Sequence, residues 1–263
     1  MTSYAAILSA NLRTLLQYRA AAAAGLITQL FWGLIRVMIF EAFYRSTTAD
    51  QPMTLNEVIT YIWLGQAFIM LLPWNVDRQI HALIRSGLVG YELLRPVDLY
   101  NLWLTRALAF RTAPTMLRAV PILALALIFF GMGPPDSPAA GIAFAFSMIG
   151  AVLISCAFTT LLNITLMWTV SGQGVAALSA AAVTILTGML IPVPFFPDWA
   201  QTIINVLPFR GIVDTPYRLY LGHIPPSDAI WHLAHQLVWT IGLVLAGRWL
   251  LARGVRRLVM QGG

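Results

Sequence analysis

Residues 58–74 read VITYIWLGQAFIMLLPW, and residues 75–87 continue with NVDRQIHALIRSG. The first stretch carries no charge, and its length is near the minimum that a helix needs to cross a bilayer. It ends at Pro73 and Trp74, and tryptophan is enriched where a span meets the membrane surface. This change from apolar to basic sequence predicts a membrane helix followed by a segment that lies on one side of the membrane.

Similar apolar runs recur along the whole chain. Each run is a candidate for a helix that crosses a hydrocarbon core of roughly 30 Å. We therefore predict an all-α polytopic membrane protein with six transmembrane helices in a single transmembrane domain. The predicted spans cover residues 20–43, 58–74, 114–131, 139–162, 175–193 and 229–251.

The composition excludes several classes of protein. Hydrophobic residues make up 59% of the 263-residue chain and charged residues 10%, whereas about a quarter of a soluble domain is charged. The net charge of +6 comes from arginine alone and flanks the apolar runs, which argues against nucleic-acid binding. One cysteine, and the pair His232 and His235, supply too few ligands for a metal site. We expect no catalytic residues, no metal and no cofactor in this chain.

The distribution of arginine predicts the topology. Eleven arginines lie at the N-terminus, between the second and third runs, or after the sixth run, and only three lie in the other connecting segments. Because short cytoplasmic loops carry the excess of basic residues, we place both termini and residues 75–111 in the cytoplasm and residues 194–228 outside. The absence of lysine hints at a GC-rich bacterial genome, so we expect a multi-pass protein of the bacterial inner membrane.

Two amphipathic segments are predicted on the cytoplasmic side. Residues 1–19 have helical periodicity and are expected to form an interfacial helix. In residues 75–87, Val76, Ile80, Leu83 and Ile84 form an apolar face, and Asp77, Arg78, His81 and Arg85 supply the polar groups. A helix of this kind could transmit force from a cytoplasmic partner, and the alternative is a helix that rests on lipid headgroups.

Four polar residues within or near the spans are candidates for lining a transport pathway: Gln29, Arg36, Gln66 and Asn163. Arg36 could pair with Glu41 or face a cavity, and structural pairing is an equal alternative. Helix–helix hydrogen bonding explains Gln66 and Asn163 equally well. Arg118 is expected to be structural.

A late series of motifs carries a family resemblance: LTGMLIP at 186–192, FFPDW at 195–199, LPF at 207–209 and YLG at 220–222. With Tyr18-Arg19, the segment 75–87 and LLRP at 93–96, the series resembles the permease subunits of type-2 ABC exporters, specifically the six-span branch. The resemblance implies that residues 1–19 form a connecting helix, that 75–87 form the coupling helix, and that 194–228 form short re-entrant helices.

The resemblance also implies partners. ABC ATPase subunits would bind ATP and Mg, since a chain without lysine cannot contain a G-x-x-x-x-G-K-[ST] phosphate loop. A second identical or paralogous permease would complete the pathway, within membrane lipid. We expect an ATP-driven exporter of an amphiphilic or hydrophobic substrate, such as a drug or lipid. The alternatives are an ATP-independent channel or secondary transporter, which would need a midplane ion site, and a scaffold that transports nothing.

Aromatic residues follow the fifth run beside several prolines. Bulky rings on a rigid backbone can close an apolar pore by dewetting, and anchoring at the membrane interface is the competing explanation. The predicted external gate consists of Phe195, Phe196, Trp199 and Phe209.

Overall fold

The computed structural model describes residues 3–17, 19–169 and 172–256, and the described chain is all-helical. Tyr18, part of the family resemblance, and Arg257, one of the arginines counted for the topology, lie outside these residues. The α-helices of the described chain, in order, are α1 Ser3–Leu16, α2 Arg19–Ser46, α3 Leu55–Phe68, α4 Arg78–Arg85, α5 Val89–Leu93, α6 Leu99–Phe129, α7 Pro138–Thr165, α8 Gln173–Leu186, α9 Asp198–Val206, α10 Asp214–Tyr220 and α11 Ala229–Val255.

Four helical segments in the described residues are long and apolar enough to cross a membrane: Ala23–Ser46, Leu99–Phe129, Pro138–Trp168 and Pro226–Val255. The other two apolar helices are shorter, Leu55–Leu71 and Gly174–Leu186. At 1.5 Å per residue, a helix of about 17 residues is only ~25 Å long, which is less than the ~30 Å core. The helical fold class is confirmed, and the count of six spans stays a prediction.

The start of α6 differs most from the sequence-based boundary. We expected the third span at 114–131, but α6 begins at Leu99, where the Asp98 carboxylate accepts a hydrogen bond from the Asn101 N–H at 2.9 Å. Proline favours the first turn of a helix, yet Pro114 lies inside this one. As a result Arg106 and Arg111, which we counted as loop residues, are helical residues.

Local sequence signals explain where other helices begin. Thr54 and Glu57 form a capping box at the start of α3, with the Thr54 N–H donating to Glu57 Oε2 at 2.6 Å. Ser137 caps α7 by accepting from the Ala140 N–H at 3.1 Å, and Pro138 follows at the first helical position.

The packing places α3 in the interior. Tyr61, Trp63 and Leu64 on this helix are almost completely buried, between α2 and α6. The most extensive contact between two helices joins α7 to α11. At this contact, a Cβ added to Gly150 would lie 2.4 Å from Oε1 of Gln236. Gln236 Nε2 also donates to the Gly211 carbonyl at 2.7 Å. A small residue therefore lets two long helices approach closely around a polar group.

A second buried apolar cluster supports α4 and α5. It joins these two helices to the start of α6, the end of α7 and the end of α11, and its buried members are Ile80, Val89, Leu99, Tyr100, Leu102, Trp103, Ile164 and Leu251. Helix α1 packs along α6, and the Asp98 N–H donates to the Tyr4 hydroxyl at 2.9 Å. The segment predicted to contact a partner is therefore supported by a packed core.

Candidate functional site

The N-terminal end of α4 is held by hydrogen bonds on both sides. Asp77 is the N-cap residue, and its Oδ1 accepts from the Gln79 N–H at 2.8 Å and from the Ile80 N–H at 3.3 Å. The Asp77 N–H donates to Oδ1 of Asn163 on α7 at 2.8 Å. Asp77, predicted to face a partner, thus has a structural role, and Asn163 positions α4.

Arg111 of α6 secures the chain that leads into α4. Its side chain is completely buried, and Nη1 donates to the Leu72 carbonyl at 2.7 Å and, more weakly, to the Met70 carbonyl at 3.4 Å. Nη2 donates to Oδ1 and to the carbonyl of Asn75 at 2.9 and 3.2 Å, and Nε donates to Thr159 Oγ1 at 3.0 Å. All three guanidinium nitrogens are therefore used.

These groups form two neighbouring sets of hydrogen bonds, Arg111 with Asn75 and Thr159, and Asp77 with Asn163. We call the five residues together the polar clamp: Asn75, Asp77, Arg111, Thr159 and Asn163. It joins the segment after α3, the middle of α6 and the end of α7 to the first turn of α4. The hydrogen bonds of Arg111 and of the Asp77 N–H therefore hold the start of α4 against α6 and α7, while Nδ2 of Asn163 has no partner among the described residues.

The faces of α4 differ in exposure. Ile80 is buried, whereas Arg78 and Arg85 are exposed. His81 is only half-buried, and its Nε2 would lie 3.8 Å from a Cβ at Gly172, in the connection between α7 and α8. The exposed arginines are therefore the α4 residues most accessible to a partner, and His81 faces its own chain.

A second polar site lies where α2 meets the end of α8. Nη2 of Arg36 donates to the Met189 carbonyl at 2.6 Å and to the Leu190 carbonyl at 2.9 Å. These carbonyls lie in the turn that follows α8 and its C-cap residue Thr187. The expected alternative, an ion pair with Glu41, is absent from the described residues, in which Glu41 lies 3.8 Å from Arg45 instead.

Arg36 lines a cavity of about 490 Å³, which we call the Arg36 cavity. Its other walls are apolar, and three of them are phenylalanine rings. The lining residues besides Arg36 are Ile39, Phe40, Phe43, Leu190, Ile191 and Phe195.

No ring contact joins the four residues of the predicted gate to one another in the described chain. Phe195 contacts Phe40 and Phe43 of α2, with ring centroids 6.0 and 6.5 Å apart. Phe209 contacts Phe158 of α7 at 5.4 Å. Trp199 is 71% exposed. Only Phe195 of the four lines the Arg36 cavity.

The rest of the segment 194–228 is anchored by charged groups. Asp214 of α10 is buried, its N–H donates to the Thr187 carbonyl at 3.2 Å, and its carboxylate lies 3.6 Å from Arg218. Burial raises the pKa of the Asp214 carboxyl, and the nearby Arg218 and Arg210 oppose this shift. Because α10 packs on α7, this part of the segment is not a free loop.

Comparison with known proteins adds to this geometry. A family model described as ABC-2 family transporter protein matches residues 30–262. The chain belongs to this family. No curated protein and no solved structure matches it. The resemblance drawn from the late motifs is thereby confirmed: the chain is an ABC-2 permease, a multi-pass membrane protein whose family implies association with an ABC ATPase.

Two of the predicted polar residues of the permease are buried, one on α2 and one on α3. Gln29 is buried, and neither amide atom has a partner among the described residues. Gln66 is buried as well, with Oε1 unpaired and Cγ 3.1 Å from where a Cβ of Gly33 would lie. Arg118 of α6 packs its guanidinium against Gly25 of α2, so it contributes to helix contact, in line with a structural role.

Sequence reasoning missed two residues that organise the part of the ABC-2 permease around α4 and α5. Glu92 of α5 is buried, and it accepts from Trp103 Nε1 at 2.9 Å and from Arg106 Nη2 at 2.6 Å. Arg111 was counted only as a topological charge. A single glutamate among the arginines of residues 75–111 was the available signal for Glu92. For Arg111, the available signal was its position inside an apolar helical pattern that begins after the N-cap residue Asp98.

Proposed function

We propose that the permease is the membrane subunit of an ATP-driven exporter and carries out no catalysis by itself. In this proposal ATP and Mg bind to a separate ABC ATPase, and α4 acts as the coupling helix. The observation that supports it most directly is the combination of family membership with the polar clamp, because a helix that transmits force must be fixed to the spans that it moves.

Two exposed features support the contacts that this proposal requires. Arg78 and Arg85 point away from the packed core of the chain and provide positive charge for an ATPase surface. Helix α2 exposes a row of large apolar side chains that a second permease or lipid would cover: Ile27, Phe31, Trp32, Met38 and Ile39. We infer a dimer of identical or paralogous permeases, each with this helix towards the pathway or the bilayer.

The proposed cargo is amphiphilic or hydrophobic, because the walls of the Arg36 cavity are apolar apart from Arg36 itself. Phe195 would contribute to an external gate in this arrangement. Reconstituting the permease with its ATPase in inside-out vesicles tests the proposal. We expect a lipophilic dye or drug to accumulate only when ATP is hydrolysed. Movement at the same rate without the ATPase would favour the alternative of a channel or secondary transporter.

The topology of the proposal has a test of its own. Both termini and α4 should lie in the cytoplasm, and residues 194–228 outside. We would introduce Ser86→Cys or Asp198→Cys on a Cys156→Ala background and treat intact cells of a bacterial host with a membrane-impermeant thiol reagent. Asp198→Cys should react and Ser86→Cys should not until the cells are opened. Reaction of Ser86→Cys in intact cells would contradict this orientation.

A further inference from the structure

The charge of Arg36 has no acidic counterpart in the described chain. The ion pairs of the described residues do not include Arg36, and the hydrogen bonds of its guanidinium group run from Nη2 alone. A guanidinium carries five N–H groups on three nitrogens. The N–H groups on Nε and Nη1 therefore have no partner among the described residues.

The two carbonyls hold this guanidinium in place and only partly balance its charge. Both carbonyls are neutral dipoles in the turn after α8, so they contribute partial negative charge and no ion pair. What remains is a net positive group with free donors. A donor group that is already fixed loses less conformational entropy when a ligand binds.

The surroundings define what such a ligand must look like. The Arg36 cavity has a volume of about 490 Å³, and Phe40, Phe43 and Phe195 form much of its apolar wall. A cavity of this size falls in the range of small-molecule sites, which combine apolar walls with a few fixed polar groups. A hydrogen bond from a guanidinium N–H to a carboxylate is charge-assisted and roughly twice as strong as a neutral one.

We propose that the Arg36 cavity binds an amphiphilic anion, a molecule with an apolar body and a single acidic group such as a carboxylate. The inference rests on the proposed function, because it takes the bound molecule to be the exporter's cargo. The same chemistry occurs in acidic lipids of the bilayer, so the test distinguishes these two sources.

The test measures binding of a fluorescent lipophilic acid, dansylundecanoic acid, to the full-length permease in phosphatidylcholine nanodiscs. Its uncharged methyl ester is the matched ligand, and empty nanodiscs correct for partition into lipid. A charge-assisted hydrogen bond is worth enough to change affinity about tenfold or more. We expect the acid to bind about tenfold more tightly than the ester.

The variant Arg36→Gln keeps an amide donor and removes the charge. It should bind acid and ester equally, with ester affinity unchanged, and the unchanged ester affinity reports that the cavity is still folded. Arg45→Gln, on the exposed end of the same helix, is the control and should keep the preference. Phe43→Ala tests the wall independently of Arg36, and it should weaken acid and ester binding by the same factor.

Two results would overturn the inference: equal affinity of the unaltered chain for acid and ester, or a preference that survives in Arg36→Gln. Absence of binding of both ligands, as expected if a second copy fills the cavity, would also overturn it. Adding phosphatidylglycerol to the nanodiscs separates the sources, since displacement of the acid identifies a bilayer lipid and retention identifies an acidic cargo.

This experiment needs no ATPase, so its failure is distinct from failure of the proposed function. Loss of the acid preference in a permease that still assembles with an ATPase overturns only the cavity's ligand. An acid preference in a chain that binds no ATPase contradicts only the ATP-driven export.

Discussion

Arg111 and Arg36 lie in apolar helices, and each donates to backbone carbonyls at the end of another helical segment, yet their surroundings differ. Arg111 uses all three nitrogens on groups of its own chain and is completely buried. Arg36 uses only Nη2 and lines an open cavity. Arg111 therefore completes a structural network, whereas Arg36 retains the capacity to bind something else.

The difference between Arg111 and Arg36 shows how an arginine inside a membrane domain can be interpreted. A charged side chain in an apolar segment is costly to bury, so it suggests a functional role by default. That reason disappears when every N–H group of the side chain donates to a group of the same chain. The number of unsatisfied N–H groups separates the two arginines, although their sequence contexts are alike.

The largest expected effect comes from removing Arg111. Arg111→Gln should destabilise the permease by about 3 kcal/mol or more, because hydrogen bonds to a charged group contribute roughly 1.5–3 kcal/mol each and several buried acceptors lose their donor. Unfolding of the purified permease in mixed micelles, followed by circular dichroism, measures this change. Arg36→Gln should cost clearly less. Equal destabilisation by the two substitutions would remove the distinction between them.

The role of Asp77 in the polar clamp predicts a moderate effect. Asp77→Ala should reduce stability by about 1 kcal/mol and lower coupling to the ATPase, because the first turn of α4 loses its cap. Asp77→Asn should behave like the unaltered chain, because asparagine caps a helix about as well as aspartate. ATP hydrolysis by the reconstituted complex measures coupling. A defect in Asp77→Asn as large as that in Asp77→Ala would show that the charge itself contacts the partner.

A similar loss of stability, without a defect in coupling, is expected at the rim of the Arg36 cavity. Phe195→Ala should raise passive leak of a dye from vesicles, with about 1 kcal/mol of lost stability, because its ring contacts with Phe40 and Phe43 disappear. Phe196→Ala is the matched control, since no aromatic contact of Phe196 is found in the described residues. A stable Phe195→Ala permease with unchanged leak would leave interfacial anchoring as the explanation of this residue.

Much of the fold followed from local sequence. Apolar runs predicted the helices because each must satisfy its own backbone in lipid, and the late proline and phenylalanine motifs led to the correct family. The amphipathic pattern of 75–87 placed Ile80 inside and Arg85 outside, as the structure has them.

What could not be predicted depends on contacts between distant residues. Asn163 lies far along the chain from Asp77, and nothing local indicates that its amide accepts from that backbone N–H. The partners of Arg111 lie on two other segments, the connection between α3 and α4 and helix α7, so its position could only be counted as positive charge. Pro114 marked a false helix start because proline is tolerated inside membrane helices when neighbours satisfy the backbone.

The central claim is that α4, fixed by the polar clamp, is the contact through which the permease meets its ATPase. Its most direct test is co-purification of the ATPase with the double variant Arg78→Glu, Arg85→Glu, compared with Arg45→Glu as a control at an exposed arginine elsewhere. We predict that the double variant inserts and folds normally but retains less than about a tenth of the ATPase. A tenfold loss of affinity corresponds to ~1.4 kcal/mol, and a charge reversal at a contact costs more than that. Full retention of the ATPase, with normal ATP hydrolysis by the complex, would contradict the claim.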